Sequence, residues 1–244
     1  MRLGRLASIA ATLALATTAA PATAAPIEIG HIPECVEAVP ASVAAPDGST
    51  VGLQTRVLLD GVSVAKGQEV FSKVVGAYSP IDIASSASFQ SVSFSGDSAQ
   101  GLIDQAKALF GGQRPAGVDV VYVLTAKDIQ AGGDKAVAGL ADCIGGVAFP
   151  SRAFAVGEVL QPDSLSWGDT LVSGHLTGKV AAHELGHLLG GHHHLANCAE
   201  GLLYELGAEL SPCTLMFNDV GLASLNFAVA NAVVVRGHAE SYAR

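Results

Sequence analysis

Hydrophobic positions change their period repeatedly along the first half of the chain. Residues 53–62, LQTRVLLDGV, form a short aliphatic and β-branched run that suits a strand. In 64–78, VAKGQEVFSKVVGAY, Val70, Val74 and Val75 recur at helical spacing, and Pro80 marks a stop. The Ser- and Phe-rich stretch 87–96 returns to strand character, with Phe89, Val92 and Phe94 near alternation. Residues 98–112 set Leu102, Ile103, Ala106 and Leu109 at helical spacing and end on Gly111 and Gly112. The run 117–129, GVDVVYVLTAKDI, is continuously β-branched and aromatic at its centre, as a strand covered on both faces is. Strand, helix, strand, helix, strand in this order predicts an α/β fold with helices packed on a mixed, largely parallel sheet.

The second half is less regular. Residues 143–150, CIGGVAFP, and 153–160, AFAVGEVL, read as two further short strands, with Gly145 and Gly146 marking a bulge or an edge. Residues 168–191 read as a loop entering a helix. Leu176, Val180 and His187 lie near one stripe, and Gly190 and Gly191 supply the stop. Asp169 and Ser173 are candidate caps, Trp167 a packing anchor, and Glu158 a solvated residue at a strand end. No repeat divides the chain, so residues 51–244 are expected to form one domain. Residues 26–50 read as a lead-in or short pro-segment, Ala-, Pro- and Ser-rich from 36 onward.

The first 25 residues have a different character. Arg2 and Arg5 precede a short apolar run, Leu6 to Ala16, and Ala22-Thr23-Ala24 offers small residues for cleavage. This is the pattern of a secretory signal peptide, so the protein is expected to be secreted. The apolar stretch 221–235 comes nearest to membrane length, but Ser224, Asn226 and Asn231 argue against a span. Acidic residues number 22 against 13 basic ones, and the leader removes two of the basic ones. That excess disfavours nucleic acid and anionic membranes as partners; a monomer is expected. Four cysteines, Cys35, Cys143, Cys198 and Cys213, predict two disulfides in an exported chain, with three pairings open.

The chemistry concentrates in HELGHLLGGHHH, His183 to His194. Residues four apart on a helix lie one above the other, so His183 and His187 present two imidazoles to one point. Glu184 stands beside them, placed to take a proton from an attacking water. A catalytic zinc site takes three protein ligands and a water. The chain must therefore turn and return a third, and Gly190 is placed for the turn, since glycine accepts positive φ without steric cost. Counting His-Glu-x-x-His-x-x-Gly-x-x-His closes on His193, with His192 and His194 as competitors. The cofactor implied is one catalytic Zn²⁺. Apart from the initiator there is one methionine, Met216, 23 residues past His193.

With that methionine the sequence resembles the metzincin clan of zinc endopeptidases, and within it the adamalysin or reprolysin group. The resemblance implies a zincin fold: a mixed, mostly parallel five-stranded sheet, a zinc helix and a methionine turn. Met216 would then floor the three imidazoles without binding the metal. It implies bridges Cys198–Cys213 and, with it, Cys35–Cys143. It also implies that the stretch Gly145, Gly146, Val147, Ala148 and Phe149 is the edge strand on which an extended peptide adds. Asn218 stands where some relatives place a metal-reaching tyrosine, so no tyrosine switch is assigned. Cys35 has a second reading, as a latency thiolate on zinc.

The function expected is hydrolysis of peptide bonds in a protein or peptide substrate, with Glu184 as general base. Two competing readings are a non-catalytic zinc-binding module and a zinc amidohydrolase of a non-peptide substrate.

Overall fold

The structure, a computed structural model, describes residues 32–37, 49–132, 135–160, 173–193, 214–217 and 225–243. Strand β1 (Val51–Asp60) leads into helix α1 (Val64–Tyr78), then β2 (Ile83–Val92), α2 (Ala99–Leu109) and β3 (Val120–Thr125). Short strands β4 (Gln130–Ala131), β5 (Lys135–Ala136) and β6 (Gly139–Ala141) follow, then β7 (Phe154–Glu158), α3 (Ser173–Leu188) and α4 (Val229–Tyr242).

Five strands form one sheet in the order β2-β1-β3-β7-β6. All neighbours are parallel except β6, which runs antiparallel to β7 with Gly139 opposite Gly157. Strands β4 and β5 pair separately as a small hairpin. The central strand β3 is buried along its whole length, which is why its sequence is a continuous apolar run rather than an alternating one. At the margin, β2 alternates buried or half-buried with exposed positions over most of its length.

Serine side chains start two of the helices. Ser63 Oγ accepts from the Lys66 N–H at 3.2 Å, and Ser98 Oγ from the Gly101 N–H at 3.3 Å. Helix α1 turns Val70, Phe71, Val74 and Tyr78 inward, whereas Val75, expected on that face, is 40% exposed. Helix α3 packs on α1, β7 and β6, and the Tyr78 hydroxyl donates to the Ala182 carbonyl at 2.9 Å. Helix α2 instead packs on β7 and β3. Parallel crossovers are right-handed, which sends consecutive helices to opposite faces when the chain reverses along the sheet.

Helix α3 approaches its neighbours through glycines. A Cβ at Gly139 or Gly157 would come within 2.8 Å and 3.2 Å of Val180. One at Gly146 would come within 2.9 Å of Leu188, and one at Gly178 would strike Lys73 on α1. The helix is bedded where side chains are missing.

Two expectations are corrected. Residues Gly145 to Phe149 are not an edge strand: Gly146–Ala148 is a 3₁₀ turn, with Gly145 left-handed at φ 80°. The reason is local packing, because the Gly145 N–H donates to the His187 carbonyl at 2.8 Å and caps α3. The edge of the sheet is β6, four residues earlier. Glu158, expected to be solvated, is 8% exposed, and its Oε2 accepts from the Ile129 N–H at 2.9 Å.

Candidate metal centre

His183 and His187 project from α3 one turn apart, with ring centroids 4.6 Å from each other. The helix then ends abruptly. Gly190 takes φ 84°, and the Gly191 N–H reaches back to the Gly186 carbonyl at 2.8 Å, the six-to-one bond of a glycine stop. The reversal returns His193 to the same point. Its Nε2 lies 3.0 Å from the Nε2 of each of the other two, which are 2.9 Å apart.

The protons on these rings can be placed from their partners. His183 Nδ1 lies 2.7 Å from the Leu215 carbonyl and His187 Nδ1 2.7 Å from the Gly191 carbonyl. A carbonyl oxygen only accepts, so both Nδ1 atoms carry the hydrogen. Burial holds both rings neutral. It pushes His183 well below the ordinary histidine value, and His187 down to about 3 with help from His193. Both Nε2 atoms are therefore bare lone pairs, facing each other at contact distance. Only a cation between them makes that arrangement favourable. Three neutral imidazole nitrogens, two backed by carbonyls, are the donor set and outer support that zinc prefers. These three histidines are the one group of convergent ligands among the described residues.

Glu184 is fully buried, and neither carboxylate oxygen has a hydrogen-bond partner among the described residues. Burial raises its pKa well above the ordinary carboxylate value, opposed by the nearby Ala141 N–H, which makes no well-formed bond. A Cβ on Gly139 would come within 2.6 Å of its Oε1, so the carboxylate rests directly on β6. Its charge also helps keep the buried Tyr78 and Tyr122 protonated, though burial is the larger cause.

Met216 is fully buried beneath the helix. A Cβ on Gly186 would come within 2.7 Å of its sulfur, and one on Gly191 within 3.2 Å of its methyl. The residue before it supplies the carbonyl that holds His183. Cys35 and Cys143 form a disulfide, so Cys35 is not a free thiolate. Cys198, Cys213, His194, Trp167, Asp169 and Asn218 lie outside the described residues. His192 points away, its Nδ1 3.6 Å from Glu34. Several contributors escaped the sequence reading. The carbonyls of Leu215 and Gly191 have no side-chain signature. Asn231 stood out only as a polar break in an apolar run. His238 belongs to no motif, yet a Cβ on Gly190 would meet its ring at 2.7 Å.

A family model described as metallo-peptidase family M12B, reprolysin-like, matches residues 73–194, from within α1 to just past the third histidine. Among curated proteins none matches the chain. Among solved structures, an archaemetzincin from Methanopyrus kandleri is 20% identical with a TM-score of 0.54, the match covering 81% of this chain and 99% of that one. An archaemetzincin from Archaeoglobus fulgidus, complexed with malonate, is 18% identical with a TM-score of 0.51, covering 75% and 99%. At such identities the likeness is one of fold, and that fold is metzincin-like. The family match takes in helix α3 and all three histidines, so the chain belongs to the reprolysin-like metallopeptidases of family M12B and is a zinc metallopeptidase.

Proposed function

We propose that the protein is a secreted, monomeric endopeptidase that cleaves protein or peptide substrates with one zinc ion and with Glu184 as general base. The observation that carries this reading is Glu184 itself: a buried carboxylate without a hydrogen-bond partner among the described residues, one position after a ligand. His183, His187 and His193 would hold the zinc ion, which when bound would supply Lewis acidity toward a scissile carbonyl and the attacking water. Glu184 takes the proton of the attacking water and returns it to the leaving amine. The outer strand β6 runs beside Glu184, and an extended substrate would add there, in place of residues 145–149. Export is supported by the leader-like residues 1–25 and by the Cys35–Cys143 disulfide. Among the described residues, no helix is long and apolar enough to cross a membrane.

A non-catalytic zinc module does not account for Glu184, because a structural zinc needs no base and a buried carboxylate is costly. Glu184→Gln separates the readings. The variant should bind zinc like wild type, yet cleave casein or a peptide library about 10²–10⁴-fold more slowly. Cleavage should also stop on chelation. Full activity in Glu184→Gln would sink the mechanism. Wild type that binds zinc but cleaves only non-peptide amides would favour the amidohydrolase reading.

A further inference from the structure

We propose that Asn231 is a positioning residue for the third metal ligand, acting on the backbone of His192. The inference rests on the zinc site described above. His183 and His187 are placed by regular helix and by the carbonyls behind their rings. His193 follows the helix stop, on irregular backbone. The residue before it is held at both of its main-chain polar groups. The His192 N–H donates to Asn231 Oδ1 at 3.0 Å, and Asn231 Nδ2 donates to the His192 carbonyl at 3.0 Å. One side-chain amide thus stands in for a neighbouring strand. The orientation of the amide is fixed by its partners, since an N–H must meet its oxygen and a carbonyl its nitrogen.

Asn231 is 6% exposed, in the first turn of α4 and 39 residues from His192. The same helix reaches the other end of the turn. His238 packs its ring against Gly190, where a Cβ would come within 2.7 Å, and its Nδ1 donates to the Val234 carbonyl at 3.0 Å. Helix α4 therefore holds the returning loop at Gly190 and at His192, and His193 is delivered in place before any metal arrives. Groups that orient metal ligands typically change affinity by about 10–100-fold when removed.

The test measures zinc affinity of the full chain by competition with a chromophoric chelator, and the visible spectrum of the cobalt-substituted protein. Asn231→Ala should raise the zinc Kd by about 10–100-fold and alter the cobalt spectrum, while the metal-free protein still melts cooperatively. In a His193→Ala background the same substitution should change Kd by less than about twofold, because a residue acting through His193 has nothing left to act on. An undiminished effect in that background, or wild-type affinity in Asn231→Ala, would overturn the proposal. If Asn231→Ala does not fold, Asn231→Asp serves. It keeps the acceptor for the His192 N–H and sets an oxygen against the His192 carbonyl, so the same rise is expected, and wild-type affinity there would overturn the proposal too. A wild type that binds no zinc would remove the metal site itself. A wild type that binds zinc, with Asn231→Ala its equal, would remove only the positioning role.

Discussion

Glu158 closes β7 with its carboxyl inside the protein. Burial lifts its pKa to about 7 against an ordinary 4.5; the Ile129 N–H opposes that rise and Asp128 adds to it. In the unfolded chain the group ionises near 4.5, whereas in the folded protein it keeps its proton up to about 7. Its contribution to stability is therefore complete below pH 4.5, falls between 4.5 and 7, and is flat above. The loss is about 3 kcal/mol at most. Glu158→Gln keeps an acceptor for Ile129 and should abolish most of that slope. Urea unfolding of both proteins at acidic and mildly alkaline pH measures it, and an unchanged pH difference in the variant would contradict the assignment. A sequence pattern gives no hint of this group, because charged residues at strand ends are usually wet and nothing in one dimension says that Ile129 crosses it. His183, Glu184 and His187 were legible for the opposite reason: four-residue spacing is itself three-dimensional geometry. Asn231 was not, since its partner lies 39 residues away.

Elements meet closely where α3 crosses α1. A Cβ on Gly178 would run into Lys73 Cβ and lie 3.2 Å from the Val70 carbonyl, neither of which is the free end of a flexible side chain. On the outer side of α1, Gly76 is exposed and has nothing within 4 Å of the same position. The two glycines should respond oppositely to alanine. Gly178→Ala should destabilise by about 1–2 kcal/mol, with overpacking outweighing the gain in helix propensity. Gly76→Ala should stabilise by about 0.5–1 kcal/mol. Urea midpoints of the two variants decide it; equal shifts would mean that the helices part freely. The helices and strands up to β3 were readable because each carries its own period and stop. Strand β2 begins at Ile83, ahead of its legible alternation, because pairing with β1 extends it. The apolar run 143–150 offered no period, so whether it paired with a strand or capped a helix was settled only by the His187 carbonyl it meets. Helix α4 hid for a related reason: its valines and alanines are contiguous, and tertiary packing selects Val235 and Ala239 for burial.

For the molecule as a whole, the Cys35–Cys143 bridge closes a separation of 108 residues and fastens the 32–37 segment beside the metal centre. There the Ile144 N–H donates to the Pro33 carbonyl at 3.0 Å, and Glu34 reaches His192. Replacing both cysteines by serine should lower stability by about 2–4 kcal/mol, less than so long a loop would suggest, because the segment can detach without unfolding the sheet. Denaturant titration of the variant, beside wild type under reducing conditions, checks this; no loss in either would mean that the bridge leaves the unfolded chain unconstrained. The glycines around α3 bear on a longer timescale. Gly139, Gly146, Gly157, Gly178 and Gly186 each leave room that a neighbour already fills. Nearly any mutation at these positions adds atoms, so drift there is one-sided and mostly harmful. A lineage that acquires a new cleavage preference has little freedom to reshape the zinc helix or its bed. Its innovation is channelled into surface segments that can lengthen, shorten or change composition while the metal-binding frame stays as it is.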